Sequence, residues 1–326
     1  MIFQTKTLNL YGIDDMWILG YNKIRNQQIY PRRDKEIPMR RKIILIIASM
    51  VLIFSLYQII TKQLEYRRNA EDYRQVRELF YDDFSEELFP DLFTGTGDDG
   101  GSNGSSFNRE SLDRMTFEER ENFMEKIHRQ LRDLQEVNPH VVGWIRVSGT
   151  EVDYPVVQGR DNEFYLHHNV QGNYNAGGAI YMDFRNDPRN FDLNTVIYGH
   201  QMRDGSMFTS INQFQNESFF HDNGSILYFS EKGITVWEVY SVYITDANSY
   251  YIMPDFSTEE EQTAFIQHTL ESSKFTTEAE IAPEDRIITL STCNYTFDNA
   301  RLAVHGKLTG SFQFEDLQPE NPREGF

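Results

Sequence analysis

The stretch Arg286–Leu308, RIITLSTCNYTFDNARLAVHGKL, decides how the chain folds. It holds two short apolar runs, Arg286–Cys293 and Arg301–Leu308, separated by the polar, turn-forming Asn294–Ala300. Runs of this length, rich in β-branched residues and bounded by turn formers, read as strands. The same texture extends upstream through VVGWIRV (141–147), YPVV (154–157), GAIYM (178–182), NTVIYG (194–199), ILYF (226–229) and ITVWEVYSVYI (234–244). Seven to eight short strands broken by Gly, Asn and Asp predict a mainly β domain with some α, closed or nearly closed into a β-barrel, in place of a parallel βαβ sheet. Two helices accompany it. One begins at the capping box Thr116-Phe117-Glu118-Glu119, carries Phe123, Ile127, Leu131 and Leu134 on one face and closes at Pro139. The other is an insertion before the last strands, Ser257–Glu271, with Ser257 and Glu260 as its capping pair and Phe265, Ile266 and Leu270 as its apolar face.

The 326 residues are 39% hydrophobic and 25% charged, a balance that excludes a wholly disordered or polytopic membrane chain. Fifty acidic against 31 basic side chains give a net charge of −19, which repels a nucleic-acid backbone. One cysteine excludes an intrachain disulfide framework and a Cys-rich zinc site.

Ile43–Ile60, IILIIASMVLIFSLYQII, has no charge over eighteen residues. As a helix it is about 27 Å long, close to the hydrocarbon thickness of a bilayer, so a single span is expected. Arg32, Arg33, Lys35, Arg40, Arg41 and Lys42 precede it, and mixed charges follow. That asymmetry puts the N-terminus in the cytoplasm and the remainder outside the cell membrane. No small-x-small cleavage site follows, which favours an uncleaved signal anchor. Met39-Arg40-Arg41-Lys42 has the form of an ordinary anchor start, so translation is expected to begin at Met39. The expected organisation is a cytoplasmic tail over 1–42, the anchor over 43–60, a solvated helical stalk and flexible acidic, Gly/Ser-rich linker over 61–106, a folded domain over 107–313 and a tail over 314–326.

Cys293 sits where a strand leaves the sheet for a polar loop. A lone cysteine is either a small buried hydrophobe or a nucleophile; a nucleophile needs a base, and acyl transfer needs donors for the oxyanion. Among eight histidines, His200 lies at the end of the strand NTVIYG in a loop rich in Gly and Asp, where catalytic groups tend to sit. His167 and His168 lack further ligands at fitting spacing, so no metal and no cofactor is expected. Arg301, eight positions after Cys293, is either a surface ion-pair partner or part of a site.

Thr289-Leu290-Ser291-Thr292-Cys293 resembles the T-L-x-T-C signature of sortases, the membrane-anchored cysteine transpeptidases of Gram-positive bacteria. The longer segments TLSTCNYTFDNARLAVHGKL, VIYGHQMRDGSMF and NPHVVGWIRVSGTEVDYPVVQGRDNEFYL look like class B sortases, over roughly residues 107–312, and the late helical insertion fits that class. The resemblance implies a sortase barrel with Cys293 as nucleophile, His200 as acid/base and Arg301 as oxyanion and carbonyl-orienting residue. It implies substrate contacts at Asn162, Leu166, Tyr198, Tyr251, Ile252, Ser291 and Thr292. The implied partners are secreted proteins with a C-terminal sorting motif and an amine of a peptidoglycan precursor or of a pilin subunit. A papain-like cysteine protease is the rival enzyme, but such enzymes place Cys early at a helix start and His later. A tethered binding module with an incidental Cys and His is the non-catalytic rival.

Overall fold

The structure, a computed structural model, describes residues 38–82 and 114–313. Its strands are β1 (Val141–Val147), β2 (Asp153–Val157), β3 (Ile180–Met182), β4 (Asn194–Tyr198), β5 (Ser225–Ser230), β6 (Gly233–Asp246), β7 (Ile287–Cys293) and β8 (Ala300–Gln313). They close into a barrel in the order β1-β2-β3-β4-β7-β8-β6-β5. Closure pairs every edge, leaving no unsatisfied ladder for aggregation. Two pairs, β2 with β3 and β4 with β7, are parallel, and the rest are antiparallel. The strand runs read in the sequence correspond to these eight elements.

Among the described residues four α-helices accompany the barrel: α1 (Met39–Tyr81), α2 (Phe117–Val137), α3 (Glu217–Asp222) and α4 (Glu259–Ser272). The α2 capping box forms as expected: Thr116 Oγ1 accepts from Glu119 N at 3.3 Å, and Thr116 N donates to Glu119 Oε2 at 2.7 Å. Its apolar face packs on β1, β5 and β6. The cap of α4 falls one residue later than expected. Thr258 Oγ1 accepts from Glu261 N at 3.2 Å, and Glu261 reaches back to the Ser257 amide at 2.9 Å. Phe265 and Ile266 then bury against Tyr240 and Ile287 on the outside of the barrel.

The largest departure from expectation is α1. The stretch after Ile60 is not a solvated stalk: one side of it, Asn69, Tyr73, Val76 and Phe80, is buried on the barrel domain, and the compact unit containing the barrel begins at Thr61. Phe80 stacks on Trp144 with ring centroids 4.1 Å apart. Asp153 accepts from Tyr81 Oη and Trp144 Nε1, each at 2.7 Å, and pairs with Arg77 at 3.3 Å. Frequent charges around the helix hide this narrow apolar stripe in the sequence. Upstream, the side chains of Ile43, Ile44, Leu52, Phe54 and Ile60 are exposed on a helix long and apolar enough to cross a membrane. The expectations for 1–37, for the linker beyond 82 and for the 314–326 tail lie outside the described residues.

Outside β7 and β8, beneath α4, His305 is fully buried in a polar chain. Tyr243 Oη donates to His305 Nε2 at 3.0 Å, His305 Nδ1 donates to Thr289 Oγ1 at 2.8 Å, and Thr289 donates to Asn194 Oδ1 at 2.6 Å. Burial, reinforced by His268, pushes the His305 pKa down to about 3. The unfolded chain therefore binds a proton that the folded chain refuses between pH 6.5 and about 3. Stability is lost as pH falls through that window, at up to about 1.4 kcal/mol per pH unit. Urea unfolding of wild type and His305→Gln should show the difference between them shrinking from pH 6.5 towards pH 3. A difference independent of pH would refute this account.

Candidate active site

The site is built by register. β4 runs parallel to β7 with Tyr198 beside Ser291, and β7 runs antiparallel to β8 with Cys293 opposite Arg301. The Gly199 amide donates to the Ser291 carbonyl at 3.1 Å, carrying the β4–β7 ladder past the end of β4. Two residues beyond Tyr198 is His200, and two beyond Ser291 is Cys293. Cys293 and Arg301 are therefore cross-strand partners on β7 and β8, while His200 stands in the loop two residues beyond the end of β4, which leaves the barrel beside the end of β7. All three are half-buried, reachable by a ligand yet partly shielded from water.

Each side chain is then held from behind. His200 Nε2 lies 2.7 Å from the Leu166 carbonyl. A carbonyl only accepts, so Nε2 carries the hydrogen and Nδ1 is left to exchange a proton. Leu166 thus contributes its backbone to the site, while its side chain packs against the core. Arg301 Nη1 donates to the Ala300 carbonyl at 3.1 Å, which leaves most of the guanidinium fork for a ligand.

Behind the Cys293 row runs a second one. Tyr181, Tyr198, Ser291 and Ala303 are register partners across β3, β4, β7 and β8, so their side chains share the Cys293 face. Ser291 Oγ and Tyr251 Oη are 3.0 Å apart, and Tyr251 is buried. Tyr181 escaped the sequence reading. Burial, then the charges of Glu163 and Cys293, raises its pKa against the opposing pull of Arg301, which places it beside the candidate nucleophile.

Asp183 escaped it too. Its side chain is fully buried and accepts from Arg185 Nε at 2.8 Å and Nη2 at 2.7 Å, from Tyr198 Oη at 2.8 Å and from Asn162 Nδ2 at 3.0 Å. Burial alone would raise its pKa, but these donors, Arg185 foremost, outweigh it and hold the carboxyl below its usual value. Arg185 continues to the Ile252 carbonyl at 2.9 Å. Asn162, Tyr198 and Ile252, three of the residues expected to touch substrate, are thereby tied to one buried carboxylate. In the sequence, Asp183-Phe184-Arg185 looks like surface charge after a strand, and nothing there signals a hub.

Thr292 is not brought to this face. It alternates with Ser291 and Cys293, is buried, and its hydroxyl finds no partner among the described residues. The His168 ring stacks on Phe164 at 4.0 Å and its Nδ1 donates to the Phe164 carbonyl at 2.7 Å.

Residues 145–309 match the family model described as the sortase domain. Sortase B of Listeria monocytogenes is 37% identical over 187 residues, covering 56% of this chain and 75% of that protein. The X-ray structure of Clostridium perfringens sortase B superposes with a TM-score of 0.53 at 38% identity, covering 55% of this chain and 99% of that one. The Staphylococcus aureus sortase B–substrate complex superposes at 0.59 with 26% identity, covering 76% of this chain and 98% of that one. With the sortase domain matched over 145–309 and a seventh strand that sets the lone cysteine opposite an arginine, the chain belongs to the sortase family as a class B member, a cysteine transpeptidase.

Proposed function

We propose that Cys293, His200 and Arg301 are the catalytic residues of a membrane-anchored transpeptidase acting on secreted proteins that carry a C-terminal sorting motif. The observation that supports this most directly is the register that sets Cys293 opposite Arg301 and brings the end of β4, two residues before His200, alongside β7. Cys293 passes its proton to His200 Nδ1, and its sulfur attacks the scissile carbonyl carbon. The developing oxyanion is met by the Arg301 fork. As the carbon–nitrogen bond breaks, His200 returns the proton to the departing amine, leaving a thioester on Cys293. An incoming amine of a peptidoglycan precursor, or of a pilin subunit, gives its proton to His200 and attacks the thioester, expelling the thiolate. Amine and water compete for the same acyl group, so partial exclusion of water favours transfer over hydrolysis. The groove that holds the motif is formed around Asn162, Tyr198, Ile252 and Ser291, with Tyr181, Asp183 and Arg185 supporting it. No metal or cofactor enters these steps.

The exposed apolar cylinder Ile43–Ile60 supports a single-pass anchor, since leaving so many aliphatic side chains in water is costly. The basic run Arg40-Arg41-Lys42 before it supports a cytoplasmic N-terminus and an extracellular barrel. Catalysis falls to the folded domain, to which Thr61–Tyr81 is added by its packing.

Cleavage of a fluorogenic sorting peptide, with and without a primary-amine acceptor, tests the reading. Cys293→Ala and His200→Ala should each lose turnover by at least about 10³-fold, since members of one catalytic unit fail together. Arg301→Lys should lose about 10²-fold in kcat, because an ammonium cannot reproduce the bidentate fork. Normal turnover by Cys293→Ala would end the proposal.

Asp183→Asn should leave alkylation of Cys293 unchanged while raising KM for the peptide about tenfold, as Asn162, Tyr198 and Arg185 lose their common acceptor. It should also lower stability by about 2 kcal/mol, less than for a wholly buried ion pair because Arg185 is partly exposed. An unchanged KM would show that the hub does not shape the groove.

A further inference from the structure

The packed half of α1 meets the barrel domain at the loop between β2 and β3, residues 158–179, which carries the carbonyl that holds His200. Tyr73 Oη donates to the Gly178 carbonyl at 2.9 Å, a buried bond. Asn175 Nδ2 donates to Asn69 Oδ1 at 2.7 Å, also buried, and Asn169 Nδ2 donates to Asp72 Oδ2 at 3.1 Å. Residues 69, 72 and 73 share one helix face. They grip the loop at three separate points.

From those grips to the imidazole is a short path. Gly178 lies so close to the Leu166 peptide that a Cβ there would stand 2.7 Å from the Leu166 oxygen and 2.6 Å from the Tyr165 oxygen. Its φ of +55° is in the left-handed region, so only glycine fits without strain. The Ala179 amide donates to Tyr165 O at 2.9 Å, and the Asn175 amide donates to His167 O at 2.8 Å, so the Gly178 strand and the Leu166 strand of the loop are laced together on both sides. Gly177 closes the same contact from the other direction: a Cβ on it would lie 2.9 Å from Asn69 Nδ2 and 3.5 Å from the end of Met202, two residues after His200.

We infer that Asn69, Asp72 and Tyr73 are positioning residues for His200: α1 clamps the 158–179 loop, and the loop fixes the Leu166 carbonyl that sets the tautomer and aim of the imidazole. The inference rests on the reading of His200 as the acid/base. It extends the machinery to a helix outside the segment that matches the sortase domain, and that helix is continuous with the apolar stretch Ile43–Ile60. A peptide carbonyl is a weak spring unless its own chain is held, and a small displacement of a proton-transfer group costs rate steeply.

The test uses the full chain in detergent micelles, comparing wild type, Tyr73→Phe, the double variant Asn69→Ala/Tyr73→Phe and, as a control, Arg77→Ala. Arg77, one turn further along α1, pairs with Asp153 on β2 and makes its ion pair there, not with the loop. Tyr73→Phe removes a hydroxyl and keeps the ring, so folding is preserved. The double variant should lose kcat on the order of tenfold with KM for the sorting peptide nearly unchanged, the scale expected when support behind a catalytic group is removed. The pH profile of Cys293 alkylation should shift in step with it, because a loosened imidazole no longer holds one tautomer. Arg77→Ala should lower the thermal midpoint without changing kcat or the profile. If both α1 variants keep wild-type kcat and pH profile while His200→Ala is inactive, the positioning role is refuted and the catalytic assignment stands. If His200→Ala itself turns over normally, the catalytic assignment fails first and takes this inference with it.

Discussion

Everything at this site depends on one strand being paired on both sides in a particular register. β7 has a parallel neighbour in β4 and an antiparallel neighbour in β8. The parallel pairing brings two strand C-terminal ends together, so the loops leaving β4 and β7 emerge side by side. The antiparallel pairing brings the start of β8 to the same end. Cys293 and Arg301 thus stand opposite each other, and the loop carrying His200 leaves the barrel at the same end. A shift of one residue in either ladder would turn Cys293 or its partners to the opposite face. The register is fixed in turn by what lies on both sides of β7: Ile288 and Leu290 in the main core, and Thr289 locked to Asn194 and His305.

That arrangement divides the Thr289–Cys293 signature into two kinds of residue. Thr289 spends its hydroxyl on Asn194 and accepts from His305, so its role is to hold the outer layer beneath α4. Leu290 fills the core, and Thr292 faces away from the groove. Ser291 reaches Tyr251, and Cys293, half-buried at the strand end, is the candidate nucleophile. A motif recognised as catalytic is in large part a statement about how one strand is seated.

The sequence carried the barrel and both capped helices, because these depend on local pattern: short apolar runs and capping boxes; it marked Cys293 by its place at a strand end and Arg301 only through the resemblance to sortases. It did not carry Asp183, Arg185 or Tyr181. A buried carboxylate and a solvated one have the same letter, and only the closing of β3 against β4 places Asp183 between Asn162, Tyr198 and Arg185. It also misread the helix after Ile60, where Asn69 and Tyr73 are buried by tertiary contact on a face that charges dominate. Likewise no periodicity could say that Leu166 would serve through its carbonyl.

The 158–179 loop is where these separate supports become one. It gives Asn162 to Asp183; four residues on, it gives the Leu166 carbonyl to His200. Asn138, at the end of α2, holds it from a third side by donating to Tyr165 Oη at 2.8 Å and to the Val170 carbonyl at 2.6 Å. Between Asn162 and Leu166 the chain makes a tight turn, with Asp161 Oδ1 accepting from the amides of Glu163 and Phe164, each at 2.9 Å. Asn162, bonded to Asp183, and the Leu166 carbonyl, bonded to His200, therefore sit on one short, braced piece of backbone.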